Sequence, residues 1–177
     1  EYLLEQNSDN WLANEVRQYL KRILKRIDVT SRSMVALIEH GSCFIGILAE
    51  LLFAVDRSYM MEDEFEDDPR PLAVITLTDD NFGTYKMANG LSRIETRFWG
   101  APNFVDAAKK KIRQPLEAAA ADDLGLVTEI LDDIDWEDEI RIFTEERASF
   151  SPDAMSGMEA NLRFVGPETM ETRIFGR

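Results

Sequence analysis

The chain has 177 residues, 45% of them hydrophobic, and a formal net charge of −14. That length fits one domain, the apolar content excludes disorder of the whole, and the acidic excess argues against a nucleic-acid surface, which needs Lys and Arg to release counterions. A single cysteine, Cys43, excludes an internal disulfide and makes a reducing cytoplasm the default compartment.

Residues 1–6 read as the tail of a preceding element. Asp9 or Asn10 can cap a helix over 11–27, with Val16, Leu20, Ile23, Leu24 and Ile27 at helical spacing. Lys21, Arg22, Lys25 and Arg26 fall on its other side, as a phosphate-binding face or as the solvated face of an amphipathic helix. The stretch 33–56 organises the chain. A β-branched strand (35–38) ends in a turn containing Gly41 and Gly46, and an apolar helix over 47–54 follows, closed by Asp56. A strand, glycine turn and helix N-terminus aim several backbone N–H groups at one spot, which can hold a phosphate, a carboxylate or a developing oxyanion. The apolar run at 45–55 is broken by Gly46 and Glu50 and is too short to span a bilayer.

Residues 57–61 read as a second strand. Six acidic residues then crowd 62–68; they lack the ligand spacing and glycine of a calcium loop, so a solvated, mobile loop is expected. Residues 72–77 are a buried strand, 79–90 a loop, 91–98 and 104–112 helices. Residues 117–124 form an alanine-rich helix capped by Gly125, and 126–130 a short strand. Asp133 or Asp135 caps a helix to Phe150 with Trp136, Ile140 and Phe143 inward. Ser151-Pro152 opens another helix, by the N-cap-then-proline rule, and Gly166-Pro167 the last. Glu1 is no start methionine and 167–177 reads as a helix stopped mid-course, so a piece of a longer polypeptide is expected.

Two residues of the central stretch carry candidate chemistry. Cys43 sits in the turn, three residues after His40, the only histidine; it reads either as a nucleophile with a helix-lowered pKa or as a small packed residue. Glu50 lies inside an apolar helix. A carboxylate there is either a raised-pKa general acid or base about one turn past an N–H cradle, or half of a structural ion pair with an Arg or Lys.

These residues carry a resemblance. Residues 35–56 resemble the crotonase (enoyl-CoA hydratase/isomerase) superfamily, in which a strand leads into G-G-G-x-E-L-A-x-x-x-D. Glu50-Leu51 match the E-L pair and Gly46 the first glycine; Ile47 and Leu48 replace the other two. Phe82-Gly83 is similar to the F-G before the family's second glutamate, Gly90-Leu91-Ser92-Arg93-Ile94 to its G-G-T-Q-R-L, and 114–127 to its P-I-x-A-x-x-A-x-x-x-G-L-V. The phrases at 32–44, 132–142 and 151–177 resemble the ring-cleaving lyases of that superfamily.

The resemblance implies an incomplete α/β crotonase-like (ββα spiral) domain over 1–148, lacking N-terminal strands, with short parallel strands and a helical C-terminal extension over 149–177. It implies a CoA-thioester lyase that opens a benzoyl-CoA epoxide or dihydrodiol to a semialdehyde thioester and formate. No metal or redox cofactor is implied, CoA being part of the substrate. The implied partners are that thioester, a preceding crotonase-like half of the same chain and further copies in a homo-oligomer, with no nucleic acid and no membrane.

By the same resemblance Gly46 and Ile47 supply backbone to an oxyanion hole, Glu50 is the remaining acid or base, and Cys43 and Lys86 line the pocket. Lys86 stands where the second glutamate would be, and a carboxylate and a lysine there would pair and neutralise each other; Asp79 or Asp80 is the alternative carboxylate. Two readings follow. Either this half supports an active site in the preceding half, or it keeps its own thioester pocket worked by Glu50, as an ordinary enoyl-CoA hydratase or isomerase would. A non-catalytic assembly module is the third.

Overall fold

A computed structural model describes residues 1–62, 70–163 and 165–175, the side chain of Arg173 excepted. Most of the acidic run therefore lies outside the described residues, and the expectation of a mobile loop there is untested.

Helix α1 (Tyr2–Gln6) leads into α2 (Trp11–Ile27), which Asn10 caps by accepting the Leu12 N–H. Strand β1 (Val35–Ile38) enters the core. The segment after it is not a simple turn. Phe44 and Ile45 form a short strand, β2, before Gly46 launches α3 (Ile47–Leu52), and β3 (Arg57–Met61) follows. Strand β3 lies parallel to β1, with Val35 opposite Arg57 and Ile38 opposite Met60. This is a βαβ unit, and its apolar strands are covered on both faces.

The expected strand over 72–77 shrinks to β4 (Ile75–Thr76), because only those residues find partners. They pair parallel with β2 and antiparallel with β5 (Pro115–Leu116). The loop after β4 opens with a 3₁₀ turn (Asp79–Phe82). Helices α4 (Arg93–Arg97), α5 (Pro102–Lys109) and α6 (Ala118–Asp123) follow, then β6 (Glu129–Leu131), which pairs parallel with β3. The strands thus make two three-stranded sheets among the described residues, β1-β3-β6 and β2-β4-β5.

Helices α7 (Trp136–Ser149), α8 (Pro152–Leu162) and α9 (Met170–Phe175) end the chain, with the Ser151 hydroxyl accepting the Ala154 N–H at the start of α8. Arg163, just past α8, donates to the Ala54 carbonyl at 2.5 Å, which ties the C-terminal helices to the end of α3. None of the described helices is long and apolar enough to cross a membrane.

The main core joins α3, β1, β4 and the Ala face of α6: Ile38, Ala49, Ile75, Leu77, Ile94, Ala108, Ala121 and Leu126 are each fully buried. A second cluster packs Tyr59, Leu131, Trp136 and Phe143 between β3 and α7, with Ile140 beside it, as the spacing predicts. Helix α2 behaves differently from its pattern. Only Ala13 and Leu24 are buried, Leu20 and Ile27 are half-buried, and Val16 and Ile23 are 39% and 37% exposed, so its apolar stripe is only partly covered in this chain. Its basic residues are partly or fully exposed, in keeping with a solvated face.

Gly125 closes α6 with φ +66°. The Leu126 N–H then returns to the Ala121 carbonyl, and a Cβ at 125 would meet Phe98 at 3.2 Å. Gly125→Ala is expected to lower stability by about 1–2 kcal/mol, the left-handed penalty plus that contact. Urea unfolding reads this directly, and an unchanged midpoint would show that the turn relaxes freely.

Candidate functional site

The peptide at Gly46 takes φ +53°, ψ −115°, a conformation that favours glycine, and it bends the chain from β2 into α3. The Gly46 N–H stays on the sheet, donating to the Thr76 carbonyl at 3.1 Å. Its carbonyl accepts the Ala49 N–H and, at 2.8 Å, the Asn81 side-chain amide. The next N–H, of Ile47, is not part of the helix ladder and meets the Glu1 carboxylate. That carboxylate also accepts the Thr78 hydroxyl at 3.2 Å, and it occupies the space a side chain at position 46 would need. Burial and, secondarily, Asp80 raise the Glu1 pKa. Of the several N–H groups expected to converge here, one, that of Ile47, meets a carboxylate, while the Gly46 N–H is spent on the sheet.

One turn on, Glu50 is 1% exposed. One carboxylate oxygen accepts Asn81 Nδ2 at 2.8 Å and the other Arg93 Nη1 at 2.6 Å. Arg93, also 1% exposed, forks onto Asp28 through Nε at 2.9 Å and Nη2 at 2.6 Å, and Nη1 reaches the Tyr85 carbonyl at 2.8 Å. Asn81 completes the set: its carbonyl accepts the Thr78 N–H at 2.9 Å. Asp28, Asn81, Glu50 and Arg93 therefore form one buried, hydrogen-bonded unit with two carboxylates for one guanidinium. A pair of this geometry is tolerated in a low-dielectric interior only because nearly every lone pair and proton is used.

The placement of each expected residue follows. Gly46 and Ile47 sit at the start of α3 as anticipated. Glu50 faces inward and takes up the structural ion pair that was one of its two readings. The cation is Arg93, not Lys86: Lys86 is exposed, and the anticipated Glu50–Lys86 pairing is corrected. Asp79 is exposed and paired with Arg113 at 3.1 Å, while Asp80 accepts the Thr84 hydroxyl at 2.6 Å.

Cys43 is exposed, so it is not the packed residue of the bland reading. His40, its nearest candidate base, has Nδ1 at 3.0 Å from the Pro71 carbonyl. Asp56, the last residue of the motif, locks β1 to β3 by accepting the Met34 N–H at 2.7 Å.

Three of the four members of the buried unit escape a reading of the sequence, but two leave a trace. Asp28 caps the C-terminal, negative end of α2, and Arg93 is the first residue of α4, at its positive end. Each has the wrong sign for its own helix dipole and the right sign for the other residue. Tyr85, beside this unit, is 1% exposed with its hydroxyl buried and without a hydrogen-bond partner among the described residues; burial, with Asp80 next, pushes its pKa up to about 12.

Desolvation outweighs Arg93 for both acids, so the pKa values of Glu50 and Asp28 are raised. A raised folded-state pKa means the folded chain binds the proton more tightly than the unfolded one. The resulting stabilisation is present below the ordinary carboxylate range and is lost as pH rises through the folded-state values. The difference in urea stability between the native chain and Glu50→Gln should therefore shift against the native chain as pH rises through and above the ordinary carboxylate range. Parallel curves for the two proteins would place the proton elsewhere.

No protein-family model matches the chain. Its structure is similar to that of an enoyl-CoA hydratase/isomerase from Cupriavidus metallidurans CH34 (TM-score 0.65, 19% identity, 98% of this chain and 61% of that one). It is also similar to a putative enoyl-CoA hydratase from Thermobifida fusca YX, solved in complex with acetoacetyl-CoA (TM-score 0.64, 12% identity, 92% and 58%). The fold is therefore that of these enoyl-CoA hydratase/isomerase structures, of which the chain covers about 60%. In sequence the chain is related to the benzoyl-CoA-dihydrodiol lyase of Aromatoleum evansii, with 53% identity over 174 residues. That match takes in 98% of this chain and 30% of the lyase, so the chain spans under a third of the length of its curated relative.

Proposed function

We propose that this chain is part of a CoA-thioester carbon–carbon lyase that opens the benzoyl-CoA epoxide or dihydrodiol to a semialdehyde thioester and formate. In that enzyme it supports the main active site rather than carrying it. One observation bears most on the second statement: both oxygens of Glu50 are engaged by Asn81 and Arg93 in the interior, which leaves the carboxylate no approach to a substrate proton. The likeness to the lyase over nearly the whole chain supports the first. A preceding crotonase-like half of the same polypeptide is the partner that fits the partly covered stripe of α2, and a homo-oligomer in the cytoplasm is the expected setting.

A second reading has its own support. The Ile47 N–H holds the Glu1 carboxylate, so the backbone at Gly46 is still shaped for an oxyanion, and this half could keep a thioester pocket of its own. Formate release from the benzoyl-CoA epoxide or dihydrodiol separates the two. The 177-residue chain alone is expected to give none, and an enzyme of the relative's full length to give it readily. Steady formate release by the chain alone would establish the second reading.

A further inference from the structure

The opposite end of α3 from Gly46 carries features that the proposed activity does not use. The residues after α3, helix α4 and the ends of α7 and α8 enclose a cleft of about 410 Å³, a volume typical of small-molecule sites. Four arginines line it, Arg93, Arg97, Arg147 and Arg163, against two carboxylates, Asp56 and Glu159. In a chain of net charge −14 this is a local reversal of sign.

The four cations are not equally compensated. Arg93 is held by Asp28 and Glu50. Arg147 and Arg163 share Asp56 at 3.6 and 4.0 Å, and Arg163 also pairs with Glu159. Arg97 has no carboxylate partner among the described residues. Its Nε and Nη2 donate to the carbonyls of Gly125 and Val127 at 2.7 and 3.0 Å, which leaves Nη1 without an acceptor there. The residue as a whole is exposed, so this free end faces the cleft and solvent.

A separate deficit lies beside it. Thr96 also lines the cleft, and its hydroxyl oxygen is buried with no hydrogen-bond partner among the described residues. Both residues line the cleft, and a guanidinium with a free N–H and a buried hydroxyl in need of a partner suit the same thing, an oxygen-bearing anion. Phe53, Met87 and Leu162 give the remaining wall an apolar character.

The geometry points to a second ligand site, a cleft for a small organic anion whose phosphate or carboxylate head sits on Arg97 and Thr96 and whose apolar body lies against Phe53 and Leu162. The inference stands on this cleft alone and holds whether or not the chain belongs to a lyase. Isothermal titration of the chain with phenyl phosphate and with phenylacetate tests it and tells the two head groups apart; benzyl alcohol is the neutral control.

At least one anion is expected to bind saturably with Kd below about 1 mM, with no saturable heat from benzyl alcohol. Arg97→Met should weaken binding at least about tenfold, the loss of one charge-assisted contact. Arg97→Lys and Thr96→Val, milder changes that retain the fold if Arg97→Met does not, should each weaken it by about threefold or more. Arg22→Met, on the exposed face of α2, should leave it unchanged. Failure of both anions to bind, equal binding by the Arg97 and Thr96 variants, equal binding of benzyl alcohol, or an equal loss in Arg22→Met would each overturn the site.

Discussion

Arg93→Met is expected to lower the stability of this chain by about 5 kcal/mol or more near neutral pH. The change removes the cation that Asp28 and Glu50 share in the interior, and leaves two carboxylates that are 0% and 1% exposed. Breaking a buried pair from one side costs about 3–5 kcal/mol. Here one cation serves two acids, so the loss stands at or above the top of that range. A domain of this size has a total stability of about 5–15 kcal/mol. The loss is the penalty of the orphaned acids rather than the worth of the contact. Adding Asp28→Asn and Glu50→Leu to Arg93→Met should therefore restore most of the stability, since a neutral, well-filled replacement of a buried ion cluster is often neutral or better. Circular dichroism in urea separates the cases. If the single variant unfolds at the native midpoint, the cluster contributes nothing and the description of the site is wrong.

Asn81→Leu is expected to cost about 2–4 kcal/mol, although the two side chains share the same branching and number of heavy atoms. Asn81 is fully buried and bonds three elements at once: the Thr78 N–H, the Gly46 carbonyl and Glu50. Leucine orphans the Thr78 N–H and one oxygen of a buried carboxylate, each a desolvated group without a partner. The Gly46 carbonyl keeps the Ala49 N–H, so the bend into α3 should survive in a weaker form. Hydrogen exchange at Ile47 and Ala49 would report that: faster exchange than in the native chain, at a lower urea midpoint, is the expected pair of results. A leucine variant as stable as the native chain would mean that Asn81 is a passive filler.

Much of the fold could be read from local signals. Asn10 and Ser151-Pro152 mark helix starts whose side chains do accept backbone N–H groups, and Trp136 and Phe143 follow helical spacing into the second core cluster. The strand, glycine and helix of 33–56 were legible because Gly46 and the apolar run are contiguous. Strand β2 was not, because two residues between glycine-containing turns carry no period, and their strand character comes from pairing with Ile75 and Thr76. The same dependence shortened the expected strand at 72–77.

At the site, Glu50 was legible as an anomaly, a carboxylate in an apolar helix. Its partner was not. Arg93 lies 43 positions away and Lys86 is nearer in sequence, so counting along a family motif favoured the lysine. What decides is the three-dimensional path from the end of α2 to the start of α4. Its trace in the sequence is two charges of the wrong sign for their own helices.

Turnover of Glu50→Gln tests the central claim, that Glu50 is a buried structural acceptor and not the acid or base of a reaction. The measurement is formate release from the benzoyl-CoA epoxide or dihydrodiol, made on an enzyme of the relative's full length that carries this chain's residues, at a temperature where the variant is folded. Glutamine should keep the rate per folded molecule within about threefold of native and lower the urea midpoint, because it sets an amide donor against Asn81 or Arg93. A hundredfold or greater loss of turnover in a folded, native-like variant, the size expected for removal of a general acid or base, would contradict the account.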